Sequence, residues 1–166
     1  MPQGLKQKLT PEAARQVLAG EMPLSVLFGV SKGQLAEMAS LGHQLWKQGR
    51  RQEAQKIFRG LIALDEKTYY GHAGMGLVAM SQEDLATAEQ YLNKAFELEP
   101  SDASVAVNLG EVLLRQGKLE PAISALESAS KLDLSGSNPG AARARAILTG
   151  IGGGAAEMRG KPVTSR

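Results

Sequence analysis

Cysteine is absent from the 166 residues, so the chain has no disulfide, no thiolate metal site and no cysteine nucleophile. Aromatic residues make up only 4%, with a single tryptophan, Trp46. The two histidines, His43 and His72, fall on different expected helices without an i,i+4 partner, which leaves no metal pair or acid–base dyad. Charge of one sign is equally scarce. Nineteen Lys plus Arg against 17 Asp plus Glu give a net charge of +2, and no basic stripe follows a phosphate backbone. No run of about 18 apolar residues exists, so no membrane insertion is expected. Met1 to Thr10 carries two lysines and leads into no apolar stretch, so no secretory leader is expected. The nucleotide-loop, nucleophile-elbow and zinc-helix strings G-x-x-x-x-G-K-[ST], G-x-S-x-G and H-E-x-x-H are missing. Gly150 to Ala155 fits a loose G-x-G-x-x-A, but after an expected helix rather than a strand. Carboxylates are scattered singly. These absences exclude the common catalytic constellations. The expectation is a protein that is not an enzyme and needs no cofactor or metal, with no nucleic-acid partner.

What is present is a repeat. Hydrophobic residues reach 43%, enough for a buried core in a chain of one-domain size. Gly42, Gly76 and Gly110 stand 34 residues apart, and Ala54, Ala88 and Ala122 keep the same spacing. Phe58, Leu92 and Leu126 form a third column, and Leu41, Met75 and Leu109 a fourth. Four columns in one register mark repeating helical hairpins. A glycine in the first helix admits a second helix closely, at a cost of about 1 kcal/mol in helix propensity. The bulky apolar column then fills the space between the helices. Gly49 and Gly117 mark the turns within the first and third hairpins, where the second has Glu83.

A 34-residue helix–turn–helix period resembles the tetratricopeptide repeat. The resemblance implies an all-α fold: a tetratricopeptide-repeat superhelix of three helical hairpins with an N-terminal helical extension and a C-terminal capping helix. The expected organisation is an extension over 1–34 and repeats over 35–136, divided as 35–68, 69–102 and 103–136. A capping helix over 137–150 and a disordered tail over 151–166 follow. Helices are expected at 35–48, 51–64, 69–82, 85–98, 103–116 and 119–132. Thr10, Pro11 and Glu12 start a short helix to Leu18, and Ser31 with Gln34 makes a capping box. Leu24, Leu27, Phe28 and Val30 form an apolar patch that must cover either the edge of the first repeat or a second chain.

In tetratricopeptide arrays the first helices line a concave groove, chiefly through their second, fifth, ninth and twelfth positions. The resemblance places Ala36, Ala39, His43 and Trp46 there in the first repeat, and Tyr70, Ala73, Leu77 and Met80 in the second. In the third it places Ser104, Val107, Glu111 and Leu114, with Asn108 and Arg115 beside them. The lone tryptophan thus falls among apolar groove positions, which suits an apolar peptide segment held by aromatic anchors. Domains of this kind that clamp a terminal carboxylate carry Lys and Arg in the groove; these positions carry neither.

The front of the chain is similar to a narrower family. Pro11 to Gly20 and Leu24 to Ser31 lead into Trp46-Lys47-Gln48-Gly49-Arg50, then Ala54, Ile57-Phe58, Leu61 and Leu64-Asp65; Tyr69-Tyr70 precede Gly74-Met75-Gly76. This order resembles the class II type III secretion chaperones, which escort translocators; Trp46 stands where they usually have Tyr. The resemblance implies a small cytoplasmic chaperone that binds an apolar segment of a secreted client in its groove, with its N-terminal region in a weak homodimer. The alternative is a tetratricopeptide scaffold or adaptor in another envelope or signalling assembly.

Overall fold

A computed structural model gives the structure of residues 10–132 and 137–159, with side chains to Gly152. Among these residues there are nine α-helices and no strand. The helices are α1 (Pro11–Leu18), α2 (Leu24–Phe28), α3 (Lys32–Lys47), α4 (Arg51–Leu64), α5 (Tyr69–Ser81), α6 (Leu85–Leu98), α7 (Ala103–Arg115), α8 (Leu119–Lys131) and α9 (Pro139–Arg159).

The helix starts follow from local chemistry. Ala13 N–H donates to Thr10 Oγ1 at 3.0 Å, with Pro11 in the first turn, where it loses no hydrogen bond. Gln34 N–H donates to Ser31 Oγ at 3.2 Å, and Ser31 N–H to Gln34 Oε1 at 2.9 Å. This reciprocal pair starts α3 at Lys32, ahead of the expected residue 35. Asp102 caps α7 through Ser104 and Val105 N–H.

The turns inside the three hairpins share one geometry. Gly49, Glu83 and Gly117 all take left-handed φ, at +78°, +62° and +76°. The N–H after each reaches back to the helix: Arg50 to Leu45 O, Asp84 to Ala79 O and Lys118 to Leu113 O, at 2.9, 3.1 and 2.9 Å. Repeat two therefore departs in residue and not in shape. Glu83 holds a conformation that costs a side-chain-bearing residue about 1–2 kcal/mol.

The chain divides into two compact units, Met1–Leu98 and Glu99–Arg166. In the first, α3 packs on α4, α5 on α6, and α5 also on α4 and α3. Its core holds Leu35, Leu45, Phe58, Leu61, Met75 and Val78, with Val30, Trp46 and Tyr70 packed against it. In the second, α7 packs on α8, and α9 on both.

The glycine column lies at the helix crossings. A Cβ at Gly42 would sit 2.6 Å from Phe58 Cε1, one at Gly76 2.6 Å from Leu92 Cγ, and one at Gly110 2.6 Å from Leu126 Cγ. Phe58, Leu92 and Leu126 are fully buried in turn. Gly74 faces the Phe58 ring still more closely, so Phe58 is enclosed by α3 and α5 together.

The capping helix differs from the expected span. The helix α9 begins at Pro139 and runs through Gly150-Ile151-Gly152 to Arg159, so 151–159 are helical rather than a disordered tail. The glycines weaken a helix without breaking it, and Ala155 to Arg159 are good helix formers with no proline before Pro162. Residues 160–166, and 133–136 at the end of repeat three, lie outside the described residues. The start of α9 approaches α7 closely: a Cβ at Gly140 would lie 3.0 Å from Ala103 C and Ser104 N.

Replacing Gly76 with Leu should overpack the α5–α6 crossing and lower stability by about 1–3 kcal/mol or more. Thermal unfolding followed by far-UV circular dichroism reads this out. An unchanged melting temperature would mean that the crossing does not depend on Gly76.

Candidate functional site

The expected groove positions of repeats one and two lie on α3 and α5, which pack side by side. Ala36, His43 and Trp46 on α3 are half-buried, as are Tyr70, Ala73, Leu77 and Met80 on α5. Ala39 is buried in the core. The i, i+3, i+7, i+10 spacing sets each group on one face of its helix. That face is partly open, and the side of each helix next to it is spent on the glycine crossings.

Within it, His43 is turned toward the interior: its ring meets Phe58 edge-on, with centroids 5.4 Å apart and planes at 67°. Tyr70 tilts against Tyr69 at 4.2 Å, a partner outside the expected set. His72 Nε2 donates to Glu66 O at 2.8 Å, and its ring lies 6.1 Å from Tyr91. Trp46 and Tyr70 both rest on the core cluster, which orients the rings from beneath. The Trp46 indole N–H is enclosed and meets no acceptor.

The second unit differs from the apolar expectation. Val107 is 1% exposed and belongs to the core. Leu114 and Asn108 are half-buried, and Ser104 and Arg115 exposed. Arg143 of α9 reaches these positions, donating from one guanidinium nitrogen to Glu111 Oε2 at 2.6 Å and from the other toward Asn108 Oδ1 at 3.5 Å. A cation thus stands among the third-repeat positions, supplied by the helix after them. No reading of α7 alone could place it, because the pair is 32 residues apart in sequence.

The N-terminal patch divides. Leu27 is 5% exposed, and α2 packs on α4. Val30 rests on the first core, and Leu24 lines a cleft of about 260 Å³ with Val17, Ile62 and Leu64. Val26 and Phe28 point outward, 59% and 40% exposed. One segment therefore caps the first repeat and also presents an apolar surface.

Displaced ionisations lie at exposed turns instead. A hydrogen bond from Arg50 holds the Glu53 carboxyl below the usual carboxylate range, and bonds from the Thr87 side chain and backbone do the same for Asp84. No cluster of three His, Asp or Glu side chains that could hold a metal occurs among the described residues, and none of their helices is long and apolar enough to cross a membrane.

Two tetratricopeptide-repeat models match the chain, over residues 40–96 and 79–148. The chain belongs to the tetratricopeptide-repeat family. The second match runs into α9, which packs on α8 and α7 as α5 packs on α4 and α3. Ala144, fully buried, also continues the glycine column (144 − 110 = 34). The capping helix thus occupies the place of a first helix in a fourth, incomplete tetratricopeptide repeat.

No curated protein matches the sequence. Among solved structures, the chain resembles PcrH from Pseudomonas aeruginosa at 27% identity and a TM-score of 0.62, covering 74% of this chain and 95% of PcrH. A type III secretion complex from Aeromonas hydrophila matches at 26% identity and a TM-score of 0.69, over 87% of this chain and 97% of that one. The Yersinia enterocolitica type III secretion translocator chaperone SycD shares the fold at 21% identity and a TM-score of 0.65, over 78% and 98%.

The Arg143–Glu111 pair is half-exposed on the arginine side, so its contribution is modest. Arg143→Ala should lower the unfolding free energy of the second unit by roughly 0.5–1.5 kcal/mol. The loss should shrink in 1 M salt, where the Debye length is about 3 Å. Chemical denaturation of wild type and variant at low and high salt measures both effects.

Proposed function

We propose that this protein is a chaperone of a type III secretion system that holds an apolar segment of a translocator client on the α3–α5 face. The likeness to PcrH carries the reading: PcrH has been solved in complex with the chaperone binding regions of PopB and PopD. SycD has been solved with a peptide of the translocator YopD. The face supports the same use here. Trp46, Tyr70, Leu77 and Met80 are each part-exposed, fixed from beneath and uncharged, which suits an apolar segment. Aromatic anchors supply most of the energy at such a surface, and Met80 adapts to the shape of the ligand. The work done is binding and shielding rather than catalysis, carried out in the cytoplasm before export.

We also propose a weak homodimer formed through the N-terminal end. Leu41 is 48% exposed, whereas Met75 and Leu109 in the same repeat column are 4% exposed. The segment before the first repeat covers it only in part, and Val26 and Phe28 stand exposed in the same unit as Leu41. One SycD structure is described as an alternative dimer.

Two measurements test these readings. Trp46→Ala combined with Tyr70→Ala should weaken client binding by more than about 2 kcal/mol, roughly thirty-fold, with little dependence on salt. Calorimetry with the client recovered by pull-down from the native host checks this, and equal affinity of variant and wild type would move the site off the α3–α5 face. Light scattering across a concentration series should show reversible dimerisation that Phe28→Ser with Leu41→Ser abolishes. A full-length chain that stays monomeric at high concentration would leave the patch as a cap only.

A further inference from the structure

The balanced net charge of +2 hides an uneven distribution. Five cations and one carboxylate fall between Lys47 and Arg59, so the rest of the chain is net negative. Lys47 ends α3, and Arg50 and Arg51 stand at the start of α4. Lys56 and Arg59 lie on the outward face of α4 with Gln52 and Ala63. All five cations are exposed. The carboxylate, Glu53, is taken up by Arg50, whose Nε donates to Glu53 Oε1 at 2.7 Å. Packing does not require these charges. Ala54, Phe58 and Leu61, on the opposite side of α4, make the core contacts. One repeat further on, the places of Lys56 and Arg59 are held by Gln90 and Asn93, and two repeats on by Ser124 and Glu127, all of them exposed. Helix stability does not require them either, because a cation at Arg51 meets the positive end of the helix dipole.

We propose that the outward face of α4, with the turn before it, is a docking surface for anionic membrane lipid. The inference goes beyond the client-binding reading and does not depend on it. Charge complementarity sets the sign of the ligand, since each Lys or Arg near an anionic bilayer strengthens binding about five-fold. The cations from Arg51 to Arg59 span about 12 Å of helix, close to the Debye length at physiological salt, so their fields act on one patch of headgroups. The rest of the face selects lipid over the competing partners. A protein interface is built on a core of aromatic and apolar side chains depleted of charge, and Gln52 and Ala63 supply no such core. Unpaired nucleic-acid bases stack on aromatic rings, which the face lacks as well. A bilayer surface needs neither feature: long exposed cationic side chains reach the phosphates while the helix stays in water. None of the described helices is long and apolar enough to cross a membrane, so the attachment on offer is peripheral, weak and reversed by salt.

The test is co-sedimentation of the full-length chain with vesicles, either of phosphatidylcholine alone or with roughly one-third phosphatidylglycerol. Binding should occur only to the anionic vesicles, at about 0.05 M salt and not at about 0.5 M. Lys56→Gln with Arg59→Gln should lower the partition coefficient about twenty-fold. It should leave the melting temperature unchanged, because both side chains are exposed. Lys94→Gln with Lys131→Gln removes the same net charge from ion pairs elsewhere, and should lower partitioning less than about three-fold. Equal losses in the two double variants would mean that net charge alone is read, which overturns the assignment to α4. The lipid assignment is overturned if the natural chain fails to bind anionic vesicles at low salt. It is overturned equally if a poly-glutamate peptide or a short DNA duplex binds more tightly than the vesicles do. The client reading stands in each case.

Discussion

A glycine on the first helix of each hairpin meets a bulky apolar side chain on the second, and the rest of the fold depends on that contact. Gly42 with Phe58, Gly76 with Leu92 and Gly110 with Leu126 set the closest approach of the paired helices. The helices lose propensity at each glycine and regain it in packing, because the side chain opposite becomes fully buried. Repetition at 34 residues then makes each hairpin present the same faces. The left-handed turn is shared by all three hairpins and is kept even where Glu83 stands in place of glycine.

The same constraint leaves open the face proposed to bind the client. A first helix that spends one side on its own hairpin and another on its neighbour keeps a third side partly open. In the first unit this side carries Trp46, Tyr70, Leu77 and Met80 over a rigid core. Its chemistry is apolar because no charged residue falls at those positions, and its shape is fixed by the helices rather than by loops. Such a surface can keep an aggregation-prone segment soluble without altering it.

The second unit uses the same scaffold differently. Its first helix is crossed by α9, whose Arg143 engages Glu111 and Asn108. The corresponding face is therefore polar. Here α9 stands in for a next repeat: it buries Ala141 and Ala144 and closes an apolar surface that would otherwise be exposed.

Much was legible in the sequence because the determining interactions are local or periodic. The four columns located six helices, and Thr10, Ser31 and Gln34 marked helix starts through bonds that span three residues. The α3–α5 positions came from the tetratricopeptide resemblance, and helical spacing explains why they share one side of each helix. Tertiary structure decided the rest. Burial of Val107 and Ala39 depends on which neighbouring helix covers them, and helical phase does not record that. The inward turn of His43 depends on the Phe58 ring beside it. Arg143 reaches α7 only because α9 folds back over the hairpin, and the length of α9 reflects helix continuity through glycines that composition alone marks as a break.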